Sequence, residues 1–323
     1  MALPFRRCCD RQFYSLTTTG AGPDGGALMA DQAEGLRALA ERMHAADPPA
    51  SGGARTIAVT SGKGGVGKTN LATNLALHLA RSGRRTAVLD ADLGLANIHV
   101  LLGVTPPGRL DQVVTGERDM RDILYTGPYG LIVAPGGSDL PDIAALGVAG
   151  MDRVAAGLAE LDRSADLVLI DTGAGLSPGV MMFLQAADEV IVVTTPEPTA
   201  LADAYATMKV LARNKPGARV RLVVNMVSGE AEALAVYKRL SLVGARYLGV
   251  EPRYLGFVPI DPAVGKAVRA QKPFVLADPA APASRAVERI GAALGLSGPQ
   301  TDGMTGFVGR VRRLVGRQGA ASP

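Results

Sequence analysis

Residues 56–69 read TIAVTSGKGGVGKT, an apolar run that ends in a glycine-rich loop, and the helical pattern TNLATNLALHLA of residues 69–80 follows at once. A strand, a glycine loop and a helix in this order are the context that a phosphate-binding P-loop requires. The glycines let consecutive N–H groups face one phosphate cluster at the positive end of the helix. The sequence therefore predicts that Lys68 reaches the β- and γ-phosphates of a nucleotide and that the Thr69 hydroxyl binds Mg²⁺. The other residues predicted to bind the nucleotide here are Gly62, Lys63, Gly64, Gly65, Val66, Gly67 and Asn70.

The chain around this motif alternates short β-branched runs with segments whose apolar residues recur at helical spacing. This pattern predicts an α/β fold, a doubly wound and mostly parallel sheet covered by helices on both faces. We expect such a P-loop NTPase domain to span residues 55–296 and to bind its ligand at the carboxyl ends of the strands. The predicted strands are residues 56–60, 86–90, 131–135, 166–171, 189–195, 220–225 and 254–259.

Two of the predicted strands end in carboxylates. The second leads to Asp90 and Asp92, and the fourth leads through a run of apolar residues to Asp171. A carboxylate at a strand end, the Walker B pattern, holds Mg²⁺ directly or through water, and Asp171 fits it. A plainer alternative is that Asp90 and Asp92 cap the next turn, and for Asp90 this alternative stays open.

Composition excludes several classes of protein. The hydrophobic fraction of 47% is too high for a disordered chain, and no uncharged apolar run is long enough to span a bilayer. The first residues lack the apolar segment of a secretory signal, so we expect a cytoplasmic protein. Adjacent Cys8 and Cys9 and three scattered histidines give no metal-ligand spacing, so we expect no structural metal site. Residues 29–300 carry 27 basic and 27 acidic side chains, which argues against DNA binding by bulk charge.

An ordinary P-loop does not require a lysine at position 63. The KGGVGKT form of residues 63–69 resembles the deviant Walker A motif of the MinD/ParA family of ATPases. The resemblance implies ATP and Mg²⁺ as ligands and a slow hydrolysis that partners stimulate. It also implies that Lys63 crosses the interface of a homodimer and contacts the phosphates of the ATP bound to the other subunit. Nucleotide state would then set oligomeric state.

Within this family the chain looks like the flagellar MinD-like ATPases of the FlhG type, also called YlxH or FleN. The similarity extends from residue 31 to about residue 293, whereas MinD itself usually has Thr at position 70 and Pro at position 173. The segments that carry it are DQAEGLR (31–37), GKGGVGKTN (62–70), DADLGLANIHVLLG (90–103) and DTGAGLSPGVMMFL (171–184).

The resemblance assigns roles to individual residues. It implies that Asp92 positions the attacking water and that Asp90 supports the metal shell of Thr69 and Asp171, with residues 172–175 as a second switch segment. Asp92, Lys63 and Lys68 are therefore the expected catalytic residues. The resemblance further implies adenine contacts from Asn225, Pro259 and Asp261, with residues 195–197 on the same rim. Residues of these types are also common in any loop that follows a strand.

Residues 29–45 have the apolar stripe of a short amphipathic helix. From the pattern alone this helix is either packed on its own domain or a docking element for a partner. In the FlhG type, residues matching Asp31, Gln32, Leu36 and Arg37 stimulate the GTPase FlhF, so the resemblance favours docking. We expect residues 1–28 to be a disordered leader, with Met29 as an alternative start, and residues 46–54 to be a linker.

The tail, residues 297–323, contains a second amphipathic pattern at residues 304–317. At about 1.5 Å per residue this helix is too short to cross a bilayer, so we predict that it lies on the cytoplasmic face of the membrane. The alternative is a terminal helix packed on the domain. The residues predicted to meet the membrane are the apolar Phe307, Val308, Val311, Leu314 and Val315 and the basic Arg310 and Arg313.

These patterns and the resemblance predict an ATPase that dimerises with ATP and associates peripherally with the membrane. It would regulate the placement and number of flagella together with an FlhF-type GTPase, with flagellar switch components as further partners. The alternatives are a MinD-type division-site ATPase, a ParA-type ATPase that positions DNA or cargo, and an adaptor that binds ATP without turnover.

Overall fold

The computed structural model describes residues 53–92, 96–137, 147–294 and 303–319, and these contain one eight-stranded sheet. The strands are β1 (Arg55–Ser61), β2 (Thr86–Ala91), β3 (Tyr125–Thr126), β4 (Ile132–Ala134), β5 (Leu167–Ala174), β6 (Glu189–Thr194), β7 (Arg219–Val227) and β8 (Arg253–Pro259). Their order across the sheet is β3-β4-β2-β5-β1-β6-β7-β8. All neighbours are parallel except β3, which runs antiparallel to β4.

Helices cover both faces of the sheet. They are α1 (Lys68–Arg81), α2 (Ile98–Leu102), α3 (Leu110–Thr115), α4 (Met120–Ile123), α5 (Gly147–Ser164), α6 (Pro178–Ala186), α7 (Pro198–Asn214), α8 (Glu230–Leu248), α9 (Pro262–Arg269), α10 (Phe274–Ala277), α11 (Pro282–Ala293) and α12 (Gly303–Gly319). Buried side chains of α1, α2, α9, α10 and α11 form one apolar layer with the sheet. Those of α3 to α8 and α12 form the other layer.

The strands are buried because both of their faces carry apolar side chains. β2 and β6 are buried at every residue, and β1 at every residue after Arg55. This confirms the α/β prediction, and each predicted run overlaps a strand, although the runs for β4, β5 and β6 extend one residue past the strand ends. The two-residue β3 was missed because a pair of residues gives no periodicity to detect.

The C-terminal helix α12 is packed against the domain. Phe307 is fully buried and its ring stacks on that of Phe183 in α6, with the centroids 6.2 Å apart. Val308 and Val311 are buried beside it. Arg310 donates from Nη2 to Asp188 Oδ1 at 2.9 Å and from Nε to the Ala186 carbonyl at 2.6 Å.

These contacts correct the expectation of an apolar face open to a membrane. The alternative of a terminal helix packed on the domain describes α12, since α5 and α6 supply the apolar surface that a membrane was expected to supply. The helix also extends one residue before and two residues beyond the predicted residues 304–317. Leu314 is half-buried, whereas Arg313 is exposed.

Several predictions fall outside the described residues. These are the leader, the helix of residues 29–45 with Asp31, Gln32, Leu36 and Arg37, and most of the linker. The end of the linker is not free, because Ala54 is buried and its N–H donates to Asp162 Oδ1 at 2.7 Å. Among the helices in the described ranges, none combines the length and apolarity needed to traverse a bilayer.

Candidate nucleotide-binding site

The glycine-rich loop connects the central strand β1 to α1. Gly67 is the N-cap of α1 and has a φ of 84°, in the left-handed region that favours glycine. A side chain there would also collide with the Asn225 amide. A Cβ at Gly64, by contrast, would meet no heavy atom within 4 Å, so there is room above the loop. The loop therefore presents backbone to open space at the N-terminus of a helix, which is an arrangement suited to phosphate.

The lysine expected at the phosphates and the carboxylate expected at Mg²⁺ form a buried ion pair. Lys68 Nζ donates to Asp171 Oδ1 at 2.7 Å and to Thr69 Oγ1 at 3.2 Å. Lys68 is 7% exposed and Asp171 is fully buried. Burial raises the pKa of Asp171, and the charge of Lys68 works in the opposite direction. The structure thus brings the P-loop lysine and the Walker B carboxylate together.

This cluster has the chemistry of a magnesium site. Asp171 Oδ2 is buried and has no hydrogen-bond partner, although a buried carboxylate oxygen normally has one. The Thr69 hydroxyl approaches the same pair through Lys68. Carboxylate and hydroxyl oxygens are the hard ligands that Mg²⁺ binds, so Thr69 and Asp171 fit this ion.

The two carboxylates after β2 have different surroundings. The register of the sheet sets Asp90 opposite Asp171 and so brings the β2 end to the P-loop edge. Asp92 is half-buried, and a Cβ at Gly173 would lie 3.4 Å from its Oδ1. Asp92 therefore lies beside residues 172–175, the expected second switch segment. This is where a residue that positions the attacking water is expected.

Asp90 is almost completely buried, and both of its oxygens accept backbone hydrogen bonds. Burial and the charge of Asp171 raise the pKa of Asp90 to about 7, although backbone N–H groups and Lys68 oppose the shift. Since its oxygens already have partners, Asp90 differs from Asp171, which has a free oxygen for a metal. The structure thus gives Asp90 a set of contacts that its predicted metal role did not include.

Lys63 lies apart from the buried cluster. Its Nζ is 2.8 Å from Glu197 Oε2 and 3.2 Å from Thr199 Oγ1, at the start of α7. The Lys63 side chain is 42% exposed and that of Glu197 is 62% exposed. Exposed ion pairs contribute little to stability, so Lys63 can exchange this partner for another at small cost.

A cavity of about 720 Å³ adjoins the glycine loop. The predicted adenine residues Asn225, Pro259 and Asp261 all line it, together with Asn70 of α1. Asn225 Nδ2 donates to the Val66 carbonyl at 2.8 Å, which leaves the amide oxygen as an acceptor for a ligand. The cavity is therefore connected directly to the phosphate loop.

Asp261 has a structural role in this cavity. Its carboxylate accepts from Ala263 N at 2.8 Å and from Ala283 N at 3.0 Å, so it caps α9 and ties it to α11. Its oxygens are therefore engaged by backbone rather than held out to a base. This leaves Asn225 as the better-placed of the two polar candidates for base recognition.

Sequence reasoning missed much of the cavity wall. Leu71, Val264 and Phe274 contribute apolar surface from α1, α9 and α10. Met226 follows Asn225 with a φ of 57°, which is unusual for a residue other than glycine. The helical spacing of Leu71 indicated only a buried residue, and no sequence signal marked Met226.

Comparison with known proteins agrees with this site. Residues 57–274 match the family model of the CobQ/CobB/MinD/ParA nucleotide binding domain. The chain is 40% identical over 236 residues to the antiactivator FleN of Pseudomonas aeruginosa, covering 73% of this chain and 84% of FleN. It is 37% identical over 223 residues to the flagellum site-determining protein YlxH of Helicobacter pylori, covering 68% of this chain and 75% of YlxH.

A solved structure agrees as well. The septum site-determining protein MinD of Pyrococcus horikoshii, complexed with Mg-ADP, superposes with a TM-score of 0.63 at 25% identity, covering 75% of this chain and 96% of that one. Fold, site residues and relatives thus lead to one assignment. The chain belongs to the MinD/ParA family of P-loop ATPases and is similar over most of its length to the flagellar members FleN and YlxH.

Proposed function

We propose that this protein is an ATP-dependent, dimerising ATPase that associates with the membrane and regulates the placement and number of flagella together with an FlhF-type GTPase. The observation that carries the proposal is the division between the two lysines of the glycine loop. Lys68 is buried in an ion pair with Asp171, whereas the partly exposed Lys63 is held by a surface ion pair with Glu197 and a hydrogen bond to Thr199. One lysine is thus suited to the protein's own nucleotide and the other to a second subunit.

The residues of the site divide the work of hydrolysis. The glycine loop and Lys68 bind the phosphates, and Thr69 and Asp171 hold Mg²⁺. When bound, Mg²⁺ neutralises charge that develops on the phosphates. Asp92 orients the attacking water from its position beside Gly173. Support for this division comes from the free oxygen of Asp171 and from the Mg-ADP complex of the related MinD.

Substitution of Lys63 by alanine tests the dimer. With ATP and Mg²⁺, in an Asp92→Ala background that slows hydrolysis, we expect a dimer in light scattering, and addition of Lys63→Ala should leave a monomer. ATP affinity should stay within about tenfold, because Lys68 and the loop are unchanged. Lys209→Ala, at an exposed lysine of α7, is the matched control and should still dimerise. A dimer of the Lys63→Ala protein would refute the role across the interface.

Membrane association, in this proposal, requires α12 to leave its place on the domain. Phe307, Val308 and Val311 are buried there, and exposing them to water would be costly. A bilayer interface accepts the same apolar face, and Arg313 suits an anionic surface. On release, the apolar face of α12 would therefore leave the apolar surface of the domain and enter the apolar part of the bilayer interface.

The partnership with an FlhF-type GTPase is assigned to residues 29–45. A peptide of these residues should raise the GTP turnover of such a GTPase, because the DQAEGLR segment matches an activator of that enzyme class. A peptide with Leu36→Ala and Arg37→Ala is the matched control and should not stimulate. Absence of stimulation by the unsubstituted peptide, or equal stimulation by both, would contradict the assignment.

A further inference from the structure

The backbone on both sides of residues 93–95 is tied to one side chain, that of Asp90. Asp90 Oδ1 accepts from the N–H of Asp92 at 3.2 Å. Oδ2 accepts from the N–H of Asn97 at 2.9 Å and from the N–H of Ile98 at 3.1 Å. A single carboxylate therefore connects the residue that carries the switch carboxylate to the first turn of α2.

The tie, meaning these three hydrogen bonds to the Asp90 carboxylate, is anchored at both ends in buried parts of the molecule. Asp90 is the fifth of the six buried residues of β2, and it is paired with Asp171 of β5. Ile98, at the other end, is fully buried in the core. A displacement of the Asp92 backbone would therefore break a hydrogen bond whose acceptor cannot follow it.

The loop after β4 makes a second contact with the same segment. A Cβ at Gly136 would lie 2.8 Å from the Asp90 carbonyl oxygen, 2.9 Å from Ala96 Cβ and 3.3 Å from Asp90 Cγ. The loop after β4 thus packs against both Asp90 and Ala96. A side chain larger than that of glycine at position 136 would therefore press on Asp90 and Ala96.

We propose that Asp90 is a positioning residue, which holds the Asp92 backbone against the start of α2 so that the Asp92 carboxylate stays beside Gly173. This deepens the proposed hydrolysis and rests on the role of Asp92 in it. In this role Asp90 acts through the Asp92 backbone.

The chemistry of the three hydrogen bonds requires a carboxylate. The carboxyl group of Asp90 can accept a hydrogen bond on each of its oxygens, whereas an amide has one acceptor and one donor. Asparagine at position 90 could serve the N–H of Asp92 or those of Asn97 and Ile98, and its NH₂ group would face the other side. The substitution keeps the size of the side chain and releases one end of the tie.

Asp90→Asn therefore separates positioning from metal binding. We expect kcat for ATP to fall by about tenfold to a hundredfold, because small displacements of a reacting group are costly. KM for ATP and the Mg²⁺ concentration for half-maximal activity should change by less than about threefold, since Lys68, Thr69 and Asp171 are untouched. Asp166→Asn is the matched control: Asp166 is paired with Arg85 just before the start of β5, at the end of that strand away from the phosphate loop, and its substitution should leave kcat unchanged.

Amide hydrogen exchange measures the hydrogen bonds to Asp90 in the absence of ATP hydrolysis. In Asp90→Asn the amide of Asp92, or those of Asn97 and Ile98, should exchange at least about fivefold faster than in the unsubstituted protein, because the loss of a hydrogen bond of about 1 kcal/mol lowers the free energy of opening of that amide. Amides of β6 should be unchanged, which shows that the domain is folded. The exchange experiment tests the Asp90 hydrogen bonds whether or not the protein hydrolyses ATP. Its result is therefore independent of the proposed function.

Gly136→Ala tests the same idea with the carboxylate intact. The added methyl group presses on Asp90 and Ala96, so kcat should fall again without a change in the half-maximal Mg²⁺ concentration. Recovery of kcat in Asp90→Asn at high Mg²⁺ would overturn the proposal in favour of a metal ligand. Unchanged kcat and unchanged exchange in both variants would also overturn it.

Discussion

Asn225 connects the cavity beside the glycine loop to that loop through one side chain. Its Nδ2 group is committed to the Val66 carbonyl, and its oxygen remains as an acceptor in the cavity that Asn225 lines. The amino group of adenine is a donor, whereas guanine has a carbonyl at the same position of the ring. We therefore predict that this acceptor favours ATP over GTP.

Asn225→Ala should weaken ATP binding by about tenfold, because the loop loses its tie to β7 and the base loses a hydrogen bond. GTP binding should fall less, so the preference for ATP narrows. Asn214→Ala is the matched control, since the Asn214 amide also donates to a carbonyl, that of Val210, at the exposed end of α7. Calorimetric titration with both nucleotides measures the effect, and an equal loss for ATP and GTP would rule out base selection by Asn225.

The chemistry of single residues was predictable where neighbours in sequence create the site. Gly62 to Thr69 are contiguous, so their pattern alone predicted a phosphate loop. The hydrogen bond from Asn225 to Val66 spans 159 residues and has no signal in a single sequence. For Asp90 the sequence offered the capping of the next turn as an alternative, but it could not show which backbone N–H groups Asp90 and Asp261 bind.

Among the elements, α12 shows how one pattern can suit two environments. Its amphipathic spacing predicted a face that avoids water, and this is correct in the structure. The spacing does not state what covers that face, because a bilayer and the surface of α5 and α6 are both apolar. The stack of Phe307 on Phe183 and the pair of Arg310 with Asp188 decide for the domain.

Phe307→Ala should lower the free energy of unfolding by about 3–5 kcal/mol, because it removes a fully buried aromatic ring and leaves a cavity. Chemical denaturation measures the change. Arg313→Ala, on the exposed side of the same helix, is the control and should alter stability by no more than about 0.5 kcal/mol.

The same pair of variants bears on the membrane. Arg313→Ala should reduce ATP-dependent sedimentation with anionic liposomes, because the released α12 would present one cation fewer to the bilayer while its apolar residues are unchanged. A stable Phe307→Ala protein would contradict the docked position of α12. Liposome binding that is indifferent to Arg313 and to lipid charge would contradict the electrostatic part of the membrane proposal.

At the scale of the whole molecule, the strand order explains why distant motifs form one site. The strands β2, β5 and β1 are adjacent and parallel, so their carboxyl ends lie side by side. This brings together Asp92, Asp171 and the glycine loop, which are far apart in the chain. The alternation of strands and helices was sufficient to predict this, since ligands of such sheets lie at the carboxyl ends. The position of each strand across the sheet was not predictable, because periodicity carries no information on neighbours.

The central place of β1 affects how the site is lost. β1 is hydrogen-bonded along both sides, to β5 and β6, whereas β3 and β8 lie at the edges. Edge segments open in local fluctuations, but a strand bonded on both sides opens only when the sheet comes apart. Limited proteolysis would therefore cleave near the edge strands β3 and β8 before it cleaves the phosphate loop. A destabilising substitution elsewhere reduces the number of competent molecules in the cell, and the molecules that remain folded bind nucleotide at full strength.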